Sequence, residues 1–95
     1  MTTKTNTLVN IGVTLKAQLE IKAEQQHMNY RNYLSYLADT AAEQHPVKLV
    51  SEPTKQTRLT LSDETKDRVK RLSKQASCTQ EQWLLNVFQT AVQDS

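Results

Sequence analysis

The sequence predicts a mainly α fold with a two-stranded antiparallel β-ribbon. Three observations lead there: the chain repeats its character at a shift of fifty residues, each repeat opens on a short alternating stretch, and two helical periodicities follow each stretch. With 95 residues there is room for one small domain, or for two halves sharing one core, but not for a TIM barrel or a two-domain dinucleotide-binding enzyme. Hydrophobic residues make up 37% of the chain, below the usual share of roughly 45–50%, so the core is thin. A single glycine and two prolines argue against a glycine-turned β-sandwich and against a glycine loop that cradles phosphate. Threonine and glutamine fill much of the remainder.

The repeat runs without a gap from residue 7 to residue 42. Thr7, Val9 and Ile11 fall on Thr57, Leu59 and Leu61; Lys16 falls on Lys66, Leu19 on Val69 and Gln25 on Gln75. Further along, Asn29 falls on Thr79, Tyr33 on Trp83, Leu34 on Leu84 and Leu37 on Val87. Only six of 36 aligned positions are identical, so the matched apolar positions carry the alignment.

In the second half, Thr57, Leu59 and Leu61 alternate with Gln56, Arg58 and Thr60, the period of two of a half-buried strand over 56–61. In the first half, Thr7, Val9 and Ile11 alternate with Asn6, Leu8 and Asn10 over 6–11, with Leu8 on the otherwise polar side. A helix follows each strand, over 14–26 and 63–75. Ser62-Asp63-Glu64 supplies a hydroxyl cap and first-turn acids for the second of these; Val69, Leu72 and Ala76 form its stripe. The matching helix starts at Gly12 or Thr14 and carries Leu15, Leu19 and Ala23, with the alkyl stem of Lys22 along the core edge.

The next pair of helices is expected over 30–43 and 80–93. Asn29 caps the first, ahead of Tyr33, Leu34, Leu37, Ala38 and Ala41. Thr79-Gln80-Glu81-Gln82 is a capping-box pattern ahead of Trp83, Leu84, Val87, Phe88 and Ala91. Leu85 is expected on the outward side, as a contact between neighbouring copies. His27 and Ser77 stand where a glycine usually breaks the chain, and His27 reads as a turn residue. Between the halves, residues 45–54 form a linker bracketed by Pro46 and Pro53, with Val47–Leu49 as a short edge strand.

A strand alone in its half needs a partner for its N–H and C=O groups. The economical solution pairs 6–11 with 56–61, giving an antiparallel ribbon with four helices packed behind it. The units are then residues 1–44 and 55–95.

The net charge of +2 is small, but seven bases lie between Lys55 and Lys74 (Lys55, Arg58, Lys66, Arg68, Lys70, Arg71, Lys74) and none from Gln75 to Ser95. A local basic block points to a polyanion-facing surface, and its helical members read equally as a solvated face. Little points to catalysis, and no catalytic residue is assigned. Cys78 has no histidine near it in sequence and reads as a structural thiol; His27 and His45 lack metal-ligand spacing, so no metal or cofactor is expected. Tyr33 is expected in the core, with Tyr30 and Tyr36 nearer the surface. No apolar stretch reaches the ~20 residues of a membrane span, and the N-terminus lacks the apolar run of a signal peptide, so the expectation is a cytoplasmic protein without membrane contact.

The strand–helix–helix order, the capped second helix and the fifty-residue duplication resemble the ribbon–helix–helix (MetJ/Arc) family, in its rarer tandem, TraY-like form, over nearly the whole chain. The resemblance implies an intramolecular pseudo-dimer whose ribbon enters the DNA major groove. It implies base contacts from Asn6, Leu8, Asn10, Gln56, Arg58 and Thr60. It also implies phosphate contacts from Asn29, Tyr30, Thr79 and Gln80 at the second-helix N-termini, with Lys4 and Lys55 adding charge. The implied partner is double-stranded DNA, with further copies on adjacent sites.

The implied role is a non-enzymatic transcriptional repressor or regulator of a prokaryotic, plasmid or phage operon. Alternatives are an accessory protein at a plasmid transfer origin, or an antitoxin or inhibitor module with a protein partner. The chain ends at Gln93-Asp94-Ser95, which speaks against a toxin-neutralising tail unless residues 43–54 serve. A plain four-helix bundle, the remaining alternative, requires a helix over residues 5–11.

Overall fold

The computed structural model describes residues 4–41 and 51–93, with side chains from residue 6 onward. Its elements run β1 (Lys4–Gly12), α1 (Val13–Gln25), α2 (Tyr30–Thr40), β2 (Thr54–Ser62), α3 (Asp63–Gln75) and α4 (Gln80–Gln93). The strand over Lys4–Gly12 removes the four-helix-bundle alternative. β1 and β2 pair antiparallel, and four helices accompany this two-stranded sheet.

The register places Leu8 opposite Arg58, residues fifty apart in the chain, with Asn6 opposite Thr60 and Asn10 opposite Gln56. Alternation then sorts the side chains. Val9, Ile11, Leu59 and Leu61 are buried against the helices, while Asn6, Leu8, Asn10, Gln56, Arg58 and Thr60 are exposed on the other side. The buried side closes a core with Leu15, Leu19 and Ala23 of α1, Tyr33, Leu34 and Ala38 of α2, Val69 of α3, and Trp83, Leu84, Val87 and Phe88 of α4. α2 and α4 pack on each other, and α1 and α3 each pack on both. A two-stranded ribbon is marginal alone; here its apolar face is also the floor of the helical core.

The same break recurs in both halves. His27 (φ 57°) and Ser77 (φ 58°), fifty residues apart, take the left-handed conformation that favours glycine. Around each, a reverse turn closes the preceding helix. The Met28 N–H donates to the Ala23 carbonyl (2.9 Å) and the Cys78 N–H to the Ser73 carbonyl (3.0 Å). The turn role expected of His27 is therefore observed, and Ser77 shares it. Cys78, next in the chain, packs half-buried against the core.

Several expectations are corrected. The inner stripe of α3 is Thr65, Val69 and Ser73, whereas Leu72 and Ala76 are only partly buried. These three lie fifty residues from Leu15, Leu19 and Ala23, so the two helices bury the same positions through different residue types. α2 ends at Thr40, short of residue 43, and Ala41 is extended. The Arg68 guanidinium of α3 donates to the Ala38 carbonyl at 2.5 Å and to that of Asp39, satisfying the helix end there. Thr54 belongs to β2 rather than to the linker. Ala91 is half-exposed. Leu85 is half-buried against the core rather than outward. Residues 45–50 of the linker, with the Val47–Leu49 strand, lie outside the described residues.

Two substitutions test these assignments. Leu59→Asp puts an unpaired charge at a position with 0% exposure; it is expected to cost more than about 3 kcal/mol and abolish the cooperative melt seen by circular dichroism. Ser77→Gly relieves the left-handed backbone and is expected to add roughly 0.5–1 kcal/mol, raising Tm by a few degrees.

Candidate nucleic-acid interface

The middle of the ribbon's outward face consists of three cross-strand pairs, Asn6–Thr60, Leu8–Arg58 and Asn10–Gln56. At roughly 3.4 Å per residue the outer pairs lie about 14 Å apart along the strands, the rise of about four base pairs. All six side chains are exposed, Leu8 by 49%. The chemistry differs along the face. Arg58 is a planar cation with a fork of donors. Gln56, Asn6 and Asn10 each present an amide donor and acceptor. Leu8 is a small apolar patch beside the guanidinium.

Not all of these groups are loose. The Thr60 hydroxyl donates to Oδ1 of Asn6 at 3.3 Å, across the strands. Asn10 is held by Glu81 of α4, whose carboxylate accepts from the Asn10 backbone N–H (3.2 Å) and from its side-chain Nδ2 (3.4 Å). At the other end of the ribbon, the Ser35 hydroxyl of α2 donates to the Thr60 carbonyl (3.0 Å). The ribbon is thus tied to α2 at one end and to α4 at the other.

The helix N-termini beside the ribbon are capped as expected. Oδ1 of Asn29 accepts from the Asn32 N–H (2.8 Å), and Oγ1 of Thr79 accepts from the Gln82 N–H (3.0 Å). Their neighbours carry opposite charge. Arg31 is exposed and, with Asn29, Tyr30, Asn32 and Thr60, lines a shallow cleft between α2 and the ribbon. At the corresponding place in α4 stands Glu81. Residue type alone, at positions fifty apart, carried this signal, and sequence reasoning missed both residues. The Tyr30 ring packs against the core, with Nζ of Lys16 5.3 Å from its centroid. Its hydroxyl is buried near the Thr57 side chain, and desolvation raises its pKa above the ordinary phenol value. What Tyr30 offers at the helix N-terminus is its backbone N–H. Gln80 is half-buried at the start of α4.

The basic block divides in two. Arg68 is spent on the end of α2, and Nζ of Lys66 donates to the Thr7 hydroxyl (2.8 Å). Arg58 is exposed on the ribbon, and Lys55, opposite Ile11, is exposed at the ribbon's end. Lys70, Arg71 and Lys74 lie exposed on α3. Lys4 begins β1, opposite Ser62.

The chain's one glycine has a steric role. α1 has no side-chain cap of its own. Instead, the Glu52 carboxylate, just ahead of β2, accepts from the N–H groups of Thr14 (3.1 Å) and Leu15 (3.4 Å), and the Pro53 carbonyl accepts from the Val13 N–H (2.9 Å). A Cβ on Gly12 would collide with Oε1 of Glu52. Glycine at 12 therefore leaves room for a borrowed cap. A hydrogen bond from the Thr14 side chain, with those from the two N–H groups, holds Glu52 below the usual carboxylate pKa.

Among the described residues, no three His, Cys, Asp or Glu side chains gather as a metal site, and no helix is long and apolar enough to cross a membrane.

Because the folded-state pKa of Glu52 is depressed, its stabilisation is complete above the unfolded value of about 4.3 and is lost as pH falls through the lower folded value. Glu52→Gln is expected to flatten that part of the acid limb in thermal melts taken below about pH 5. Gly12→Ala is expected to lower Tm by displacing Glu52, and to lower it less when Glu52 is already Ala. Equal losses in the two backgrounds would mean that the displaced carboxylate is not the cause.

Comparison of the chain with family models, with curated proteins and with solved structures gives no match, so a reading of the ribbon face rests on its geometry and chemistry.

Proposed function

We propose that the chain is a sequence-specific double-stranded DNA-binding protein of ribbon–helix–helix type. In this reading, residues 4–41 and 54–93 are two such units, paired as an intramolecular pseudo-dimer about an axis between Leu8 and Arg58. The observation that carries it is the register, which aligns six exposed, chemically varied side chains as three facing pairs on one side of the ribbon. A major groove about 12 Å wide admits a two-stranded ribbon, and each base pair there shows its own donor and acceptor pattern.

Arg58 is the principal reader, bidentate to guanine O6 and N7; Gln56 and the two asparagines suit adenine N6 and N7, and Leu8 a thymine methyl. Because Leu8 faces Arg58, the recognised site is asymmetric. The helix N-termini at Asn29-Tyr30 and Thr79-Gln80 take the flanking phosphates. Arg31 strengthens the first of these clamps and Glu81 weakens the second, so backbone contact is heavier on the α2 side. The biological role that fits is transcriptional regulation of a prokaryotic, plasmid or phage operon.

Selection of duplexes from a random pool at near-physiological salt is the test. The parent is expected to yield an asymmetric consensus, and Arg58→Ala to lose roughly 1–3 kcal/mol of discrimination at the guanine it reads. Arg31→Ala is expected to weaken all sequences alike and to reduce the slope of log K against log salt by about one. Enrichment of no sequence, or an Arg58→Ala consensus identical to the parent's, overturns the reading.

A further inference from the structure

The outer faces of α1 and α3 occupy corresponding places in the two halves and carry opposite charge. Glu20, Ile21 and Glu24 on α1 stand fifty residues from Lys70, Arg71 and Lys74 on α3, and all six are exposed. Each helix turns its buried stripe, Leu15–Leu19–Ala23 or Thr65–Val69–Ser73, toward the same core, so the outer faces look out on different sides of the molecule. Ile21, 58% exposed, is the most exposed of the large hydrophobic residues described. It sits in a shallow groove with Glu20 and Glu24 on the rim and Ala17, Met28 and Tyr30 beside it. Nζ of Lys16 pairs with Glu20 at 2.6 Å, so one of the two carboxylates is partly neutralised and Glu24 is the main acid of the groove.

We propose that the acidic α1 face of one copy docks the basic α3 face of a second copy of this chain, with Arg71 of the second seated over Ile21 beside Glu24. An apolar floor with a carboxylate rim suits an arginine, whose stem packs while its guanidinium pairs. Lys70 and Lys74 flank Arg71 at helical spacing and extend the complementarity to Glu20. Asp67 and Glu64, exposed on α3 one and two turns before Arg71, and Lys22, which borders Ile21 on α1, oppose the pairing. The contact joins two different surfaces, so it is heterologous and leaves an acidic face free on one copy and a basic face free on the other. Association therefore continues past the dimer. It is salt-sensitive, because both partners are exposed charges. It needs no DNA and stands independently of the proposed function.

Sedimentation of the DNA-free protein tests it, on the parent, Arg71→Glu, Glu24→Arg and the double variant, each checked for parental helix content. The parent, a 10.9 kDa chain, is expected to associate progressively with concentration, roughly tenfold more weakly at about 0.5 M than at about 0.05 M salt. Each single reversal is expected to weaken association roughly tenfold or more. Mixed together, the single variants are expected to recover progressive association, since the intact α3 face of Glu24→Arg meets the intact α1 face of Arg71→Glu and the two reversed faces meet each other. The double variant is expected to regain progressive association. A parent that stays monomeric to about 1 mM, beyond the range of weak specific contacts, overturns the proposal. So does a mixture that stays monomeric where the parent associates. An Arg71→Glu variant that associates like the parent but binds a short duplex less tightly also overturns it, and assigns the basic face to a polyanion.

Discussion

Among the described residues, β1 and β2 pair only with each other, so the backbone hydrogen bonds of each half depend on the other. Everything else follows from that pairing. It brings Val9, Ile11, Leu59 and Leu61 onto one face, and burial of that face joins helices that are far apart in the chain into one core. Slipping β2 by one residue against β1 would turn Leu59 and Leu61 to solvent and bury Arg58, so the hydrophobic effect holds the register that hydrogen bonding alone leaves free.

The same register decides what the outer face presents. Because Leu8 opposes Arg58, the two halves meet at a position where they differ in chemistry. The divergence extends along the molecule. Arg31 and Glu81 mark the helix ends beside the ribbon, Glu24 and Lys74 the outer helix faces, and Gly12 and Ser62 the starts of α1 and α3. Where Ser62 caps α3 with its own hydroxyl, accepting from the Thr65 N–H at 3.2 Å, α1 borrows the carboxylate of Glu52. The backbone plan is thus held in common, and the two halves differ in charge and in the origin of their caps.

Polar groups in the core region settle details of the helices. Thr65 donates its hydroxyl to the Asp39 carboxylate, the Ser73 hydroxyl donates to the Lys70 carbonyl, and Arg68 closes α2. The Thr65 and Arg68 contacts join α3 to α2, and the Ser73 contact lies within α3. The corresponding place between α4 and α1 is instead a cleft bordered by Leu15, Gln18, Leu85 and Gln89. A thin core is compatible with a defined fold because, among the described residues, most buried polar groups have partners.

Much of this plan was legible in one sequence. Alternation at 6–11 and 56–61, the caps at Asn29, Ser62 and Thr79, the bend at His27, and most of the core followed from local rules and from the fifty-residue repeat, because periodicity and capping are short-range physics. The outward set of Asn6, Leu8, Asn10, Gln56, Arg58 and Thr60 followed from the same alternation. The inner stripe of α3 was misjudged because Thr65 and Ser73 look like surface residues, and only their contacts make them core. That Arg68 serves a helix end, that Glu52 crosses to cap α1, and that Glu81 holds Asn10 were decided by tertiary structure alone. Those pairs are 29 or more residues apart, and a charge at such a distance in sequence has no local pattern to announce its partner.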